Sequence, residues 1–245
     1  MSRPTPACSA VKMLVWNIQQ GGGPRQQRIA DRIVAHNADI VALIEYVPTP
    51  APDSLLQSLC SVGFKHWICS VRDGFNYAVC VLAKTPIYTR PSGNLLLDQS
   101  GLFLEITVPG HGFRFGVVHV PTKPRTRMKE FLTALVQLAA SNRVHPFLFV
   151  GDFNTGIGPA DGPMNNFGDV DRFAALLDNG FTDAWRHVHR ERVEHTWCRN
   201  GKSYRIDHAL ASEILLPRIK GCCYSHEERE RGVSDHSVLL VEIAD

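Results

Sequence analysis

What this sequence lacks already narrows the field. No apolar run approaches the ~20 residues of a membrane-spanning helix, so no membrane partner is expected. The opening "MSRPTPACSAVK" has no apolar core of a secretory signal; residues 1–10 read as a flexible lead. Seven cysteines show no C-x-x-C pair and no regular spacing. That argues against a zinc site or a disulfide framework and points to a reducing cytoplasm. There is no Walker loop and no G-x-S-x-G, and "GIGPADG" is too irregular for a dinucleotide fingerprint. Charge of one sign is missing too: the net value is only +2. A nucleic-acid binder of this balance would need local basic patches. No repeat, low-complexity tract or linker divides the chain, so residues 11–245 are expected to form one domain.

Apolar side chains make up 44% of the 245 residues and charged ones 20%, ample for a globular core. Strand-like runs include "VKMLVW", "DIVALIEY", "NYAVCVLA", "GLFLEITV", "FRFGVVHV" and "PFLFV". Residues 195–198, 204–211, 220–225 and 237–243 read as the last strands. "PRQQRIADRIVAHN", "PDSLLQSLCSVG", "RTRMKEFLTALVQLAASN" and "VDRFAALLDNG" carry helical spacing. Strands grouped between helices predict two packed sheets with helices outside. "HVH" at 187–189 lies in a charged segment and reads as solvated surface rather than a zinc pair.

The informative residues are polar groups at the ends of apolar runs. Asn17 ends "MLVW", Glu45 ends "DIVALI", and His119 interrupts "FGVVHVP". Asp152 and Asn154 follow "FLFV", Asp207 sits in "YRIDHAL", and Asp235 with His236 leads into "SVLLVEI". Side chains two apart on a strand point the same way, so Asp152 and Asn154 share a face. Each alone is compatible with turn or capping chemistry. Buried carboxylates, however, are costly unless paired or metal-bound, and so many at strand ends favour one shared cleft. Carboxylates and amides with an imidazole are hard, oxygen-rich ligands that suit Mg²⁺ or Mn²⁺.

In order, "WNIQ", "IVALIE", "YAVCVLAKTPI", "GVVHVPT", "VGDFNTG", "RIDHALAS" and "SDHSVLLVEI" resemble the endonuclease/exonuclease/phosphatase superfamily, within it the exonuclease III and abasic-site endonuclease branch. The resemblance spans about residues 11–243. It implies an α/β fold, a four-layer sandwich of two mixed sheets packed face to face with helices on the outer faces. It also implies Mg²⁺-dependent phosphodiester hydrolysis, on DNA as nuclease or abasic-site endonuclease. Glu45 would be the main metal carboxylate, helped by Asn17 and Asp235. Asp152 would activate the water, Asn154 would hold it or a phosphate oxygen, and His236 would donate to the phosphate, oriented by Asp207.

Three positions depart from that branch. Gln19 stands where a second Asn or Asp is common, Ile44 precedes Glu45 in place of Gln, and His119 replaces a Tyr. A His there resembles the deoxyribonuclease I branch and keeps His119 in the site. Two basic stretches bear on substrate: "PTKPRTRMK" with Lys123 and Arg125, and "RHVHRERVEHTWCRNGKSYR" with Trp197 and Tyr204. Basic groups bind phosphates and aromatics stack on bases; by position, Trp197 and Tyr204 would border an abasic pocket. Nucleic acid is the expected partner, and no protein partner is expected. The same chemistry on a small, inositol or lipid phosphoester is the alternative. A non-catalytic binding module is a third reading, disfavoured because the acidic and histidine residues are all present.

Overall fold

The computed structural model describes residues 10–49, 53–70, 76–163 and 167–245. All of the expected flexible lead except Ala10 therefore lies outside the described residues. In chain order the strands begin with β1 (Val11–Asn17), β2 (Ile40–Tyr46), β3 (His66–Cys69) and β4 (Ala78–Ala83). Next come β5 (Tyr88–Arg90), β6 (Phe103–Thr107), β7 (Arg114–His119), β8 (Phe147–Asp152) and β9 (Phe181–Asp183). The last are β10 (Trp197–Arg199), β11 (Lys202–Tyr204), β12 (Asp207–Ser212), β13 (Ile219–Ser225) and β14 (Val238–Ile243). The helices are α1 (Gln26–Ala35), α2 (Ser54–Ser61), α3 (Leu95–Asp98), α4 (Arg125–Asn142), α5 (Val170–Asp178), α6 (Ala184–His189) and α7 (Glu227–Glu230).

Among the described residues these strands make two six-stranded sheets and one small hairpin. The first sheet runs β13-β14-β1-β2-β4-β3 and the second β5-β6-β7-β8-β12-β9, with β10-β11 apart. Each sheet is mixed, as expected. Its one parallel pair is β1 with β2 or β7 with β8, and the other pairs are antiparallel. A parallel pair needs a long crossover, which α1 and α4 supply.

Strand periodicity sorts the core into layers. In β1, Val11, Met13 and Val15 enter the cluster between the sheets, while Leu14 and Trp16 face α1 and α2. In β8, Leu148 and Val150 point inward, while Phe147 and Phe149 pack under α4 with Phe131, Leu132 and Leu135. Each such side chain, once buried, contributes about 1.5–3 kcal/mol. Helix–sheet–sheet–helix is therefore the observed order of layers, the expected sandwich. Helix α2 starts where Asp53 accepts the Leu56 N–H at 2.9 Å, the capping arrangement favoured for Asp. Among the described residues no helix is long and apolar enough to cross a membrane.

Several expected boundaries shift. The run expected as a strand over 204–211 begins at Asp207, because Lys202–Tyr204 pairs with Trp197–Arg199 instead. Strand β5 and the one-turn helix α3 have no counterpart in the sequence reading. The "HVH" segment is the end of α6. His187 is exposed there, but His189 is half-buried, its Nε2 2.8 Å from the Cys222 carbonyl and its ring beside Trp185. His189 is thus a packed residue, correcting the expectation of a solvated one.

Candidate active site

The carboxyl ends of β1, β2, β7 and β8 all reach the same edge of the sandwich, the usual ligand side of such strands. The alternation that sends Met13 and Val15 inward also sends Asn17 inward, and the alternation of Leu148 and Val150 does the same for Asp152. His119 follows Phe115 and Val117 on β7, and Asp207 precedes Ala209 and Ala211 on β12. These four side chains come from different sheets but converge at the open mouth between them. In the pairing register Asp152 lies opposite His119 on one side and Asp207 on the other.

Glu45 has the wrong parity for this cleft, since Ile44 is the inward residue of its pair. It arrives by a break in the β2–β4 register between Leu43 and Tyr46, with Glu45 itself at φ 58°. A left-handed backbone at a non-glycine residue is strained and clusters at functional sites. Its carboxylate accepts the Gln20 N–H at 2.9 Å and the Asn17 amide at 3.2 Å. The same Asn17 Nδ2 donates to Asp152 Oδ2 at 3.0 Å. Asn17 thus ties the two carboxylates together across the sheets, while its own amide oxygen takes the Gln19 N–H at 3.0 Å. Asn154, also left-handed at φ 51°, gives its backbone N–H to Asp152 Oδ1 at 2.9 Å. Its side chain donates to the Val120 carbonyl at 2.9 Å. Gly151 has φ +143°, and a methyl there would lie 2.0 Å from the Val118 carbonyl oxygen. Glycine lets β8 approach β7 this closely.

His236 Nδ1 lies 3.0 Å from Asp207 Oδ2, and its Nε2 lies 3.8 Å from Asp152 Oδ2. Asp152, Asp207 and His236 each offer a ligand atom within 4.8 Å of the others. Burial opposes charge on His236, but Asp207 outweighs it and holds the imidazolium up to about 10. Asp207 thereby fixes the ring and leaves Nε2 as a donor into the cleft. Burial raises Asp152 as well, up to about 7, despite the neighbouring His236. Burial also lowers His119, whose Nε2 stands 3.9 Å from Glu45 Oε1 and whose buried Nδ1 has no hydrogen-bond partner among the described residues.

A cleft of about 580 Å³ opens over these groups and is also lined by Lys123, Arg127, Trp197, Arg199 and Tyr204. Trp197 and Tyr204 stack across the β10-β11 hairpin, centroids 5.7 Å apart and planes 18° apart. Asn17, buried at the end of β1, reaches the cleft's Glu45 and Asp152. Arg125 does not line the cleft; it is exposed on the first turn of α4, and Arg127 takes the place expected for it. Glu45, Asp152 and Asp235 all line this one space and bring carboxylate oxygens to it. That donor set fits a hard divalent cation.

Sequence reasoning missed the layer beneath. Arg205, 2% exposed, pairs through Nε with Asp161 and through a terminal nitrogen with Asp183, both at 2.7 Å. Its guanidinium lies 5.0 Å from the Trp185 ring. The Tyr224 hydroxyl donates to the Asp207 carbonyl at 2.7 Å, and Thr196 Oγ1 accepts the Ile206 and Asp207 N–H groups at 3.1 and 3.2 Å. These contacts hold Asp207 where His236 needs it. Arginine beside the "ID" of "YRIDH" was the only local signal; its partners are 44 and 22 positions away.

Comparison with known proteins agrees with this geometry. Residues 14–236 match the model of the Endonuclease/Exonuclease/phosphatase family. An exodeoxyribonuclease of Streptococcus pneumoniae is 26% identical, over 95% of this chain and 99% of its own. An AP endonuclease from Archaeoglobus fulgidus superposes with a TM-score of 0.82 at 17% identity, covering 96% of this chain and 99% of that one. The 3′ phosphatase NExo from Neisseria, bound to product DNA hairpin, gives 0.78 at 22% identity over 95% and 99%. Two mixed sheets closing on one acidic, histidine-bearing mouth, with a family match over nearly the whole chain, lead to one conclusion: the chain belongs to the endonuclease/exonuclease/phosphatase family and is a phosphoester-hydrolysing enzyme.

Proposed function

We propose that residues 11–245 act as one catalytic domain that hydrolyses phosphodiester bonds of DNA with a divalent cation, Mg²⁺ or Mn²⁺, as a nuclease or abasic-site endonuclease. The observation that carries this reading is the Asn17 amide bridging Glu45 and Asp152 beside the Asp207–His236 pair. Glu45 and Asp235, with Asn17 beside them, would hold the cation. When bound, it would neutralise charge on the phosphate and on the leaving oxygen.

Asp152 is the base. Its carboxylate is buried and raised toward neutrality, so it can accept a proton from an attacking water. Asn17 and the Asn154 N–H fix its two oxygens. His236, held as imidazolium by Asp207, donates through Nε2 to a phosphate oxygen where charge grows. His119 faces the same space from β7 as a second phosphate donor. Lys123 and Arg127 on one wall and Arg199 on the other suit a phosphodiester backbone, and the Trp197–Tyr204 stack suits a sugar or base. Names of relatives that act on or bind DNA support this choice of substrate over an inositol or lipid phosphoester. The described cysteines are unpaired, which fits a reducing cytoplasm.

The test is a panel of abasic duplex, intact duplex, single strand, inositol phosphate and lipid phosphoester, each with Mg²⁺, Mn²⁺ or EDTA. Cleavage of DNA that stops in EDTA is expected. Asp152→Asn and His236→Ala should each lower the rate at least about 10²-fold while the fold stays intact, as circular dichroism would show. Cleavage confined to the small phosphoesters, or undiminished in either variant, overturns the reading.

A further inference from the structure

We infer that Trp197 is a positioning residue for Asp235, so that the aromatic wall of the cleft and its cation-holding carboxylate work as one unit. This rests on the metal-dependent reading above and adds a coupling within that site.

An indole N–H can only donate. Here Trp197 Nε1 donates to Asp235 Oδ2 at 3.0 Å, and an Arg199 terminal nitrogen stands 3.7 Å from the same oxygen. The hairpin therefore holds the Asp235 carboxylate through Oδ2 and fixes the direction in which it faces the cleft. The ring cannot easily turn, because its face is stacked on Tyr204. Nor can the strand slide: Cys198 N–H donates to the Asp235 carbonyl at 3.2 Å, and Ser237 N–H to the Thr196 carbonyl at 2.7 Å. Trp197 is bridged in register to His236 by this pairing. On the far side Ser234 Oγ donates to the Asn17 carbonyl at 2.7 Å, so the Asp235 segment is held by the hairpin on one side and by the end of β1 on the other.

One side chain thus serves two purposes. Its face forms the cleft wall and its edge sets the rotamer of a proposed metal ligand. A nucleotide resting on the face and a cation at Asp235 must then influence each other equally in both directions. Partners that orient a metal ligand typically change metal affinity 10–100-fold when removed.

The test reads cation binding without catalysis. Free Mn²⁺ is followed by electron paramagnetic resonance as it is titrated into the full-length protein without DNA. Trp197→Phe keeps a ring but removes the N–H; it should bind Mn²⁺ about tenfold more weakly. Adding the same change to Asp235→Asn should weaken binding no further, as expected of a coupled pair. Wild-type affinity in Trp197→Phe, or additive losses in the double variant, overturns the inference alone. A wild-type protein that binds no Mn²⁺ overturns the metal reading and this inference together. Should Trp197→Phe fail to fold, the unmodified protein decides. Under Mg²⁺ titration its Trp197 indole N–H resonance should move while that of buried Trp185 stays, and a stationary Trp197 resonance overturns the proposal.

Discussion

At the scale of single residues, the site is built from atoms held in place by their neighbours rather than by their own preferences. Glu45 and Asn154 sit in left-handed backbone with β-carbons that resist it, and Asn17 spends both amide hydrogens' direction on carboxylates. Gly151 is the complementary case, a position where a β-carbon has no room. Gly151→Ala would push a methyl to 2.0 Å from the Val118 carbonyl, so β7 and β8 must separate. We expect a loss of about 3 kcal/mol or more in urea unfolding, with activity falling further than stability because Asp152 is the next residue. Asn17, Glu45, Asp152, Asp207 and His236 were legible in the sequence because a polar side chain at the end of an apolar run is conspicuous. Arg205, Asp161 and Asp183 were not. Each looks like ordinary surface charge until folding brings the three together and buries them. Arg125 misled for a related reason: four basic residues in seven cannot all face one cleft from a loop and a first helical turn.

At the scale of elements, long periodic segments revealed themselves and short ones did not. Helix α4 buries Met128, Phe131, Leu132, Leu135 and Leu138 on one face, a spacing visible in the letters. Strand β5 has three exposed residues and α3 a single turn, too short for any period to appear. Helix α7 is equally short, yet it anchors α1. Glu228 is buried and accepts from Arg32 Nε and His36 Nε2, both at 2.8 Å. Burial alone would raise the Glu228 carboxyl, but hydrogen bonds from His36, Ser225, its own backbone N–H and Arg32 hold it down to about 2, from an ordinary value of 4.5. A carboxylate depressed in the folded state adds stability above its unfolded value and loses it as pH falls toward the folded one. Glu228→Gln should therefore melt well below wild type at neutral pH. The gap should close between about pH 4.5 and 2, which thermal unfolding across that range would reveal; a gap constant with pH contradicts this pairing.

At the scale of the whole molecule, a net charge of only +2 says nothing of a polyanion partner, and only the arrangement of the charges does. Lys123, Arg127 and Arg199 flank one mouth. If these three meet phosphates, duplex binding in EDTA should fall with salt at a log–log slope of about −3 between roughly 50 and 200 mM. Lys123→Ala should make that slope shallower by about one, as fluorescence anisotropy would measure. A flat response removes the basic rim from the binding account. The four-layer order was legible because strands made of continuous apolar runs, such as β4 and β8, need their outer faces covered as well as their inner ones. The hairpin β10-β11 was not, since its pairing depends on Trp197 and Tyr204 finding each other over the mouth. Among the links that join the two halves of the sandwich at that mouth is the Asn17 amide, shared by carboxylates from opposite sheets. It makes the site a caliper: its jaws are the two sheets, and the packing of Ile44, Val150 and their neighbours sets the gap. Chemistry here is tuned from the interior, and a core that relaxes by a fraction of an ångström would register first as lost rate.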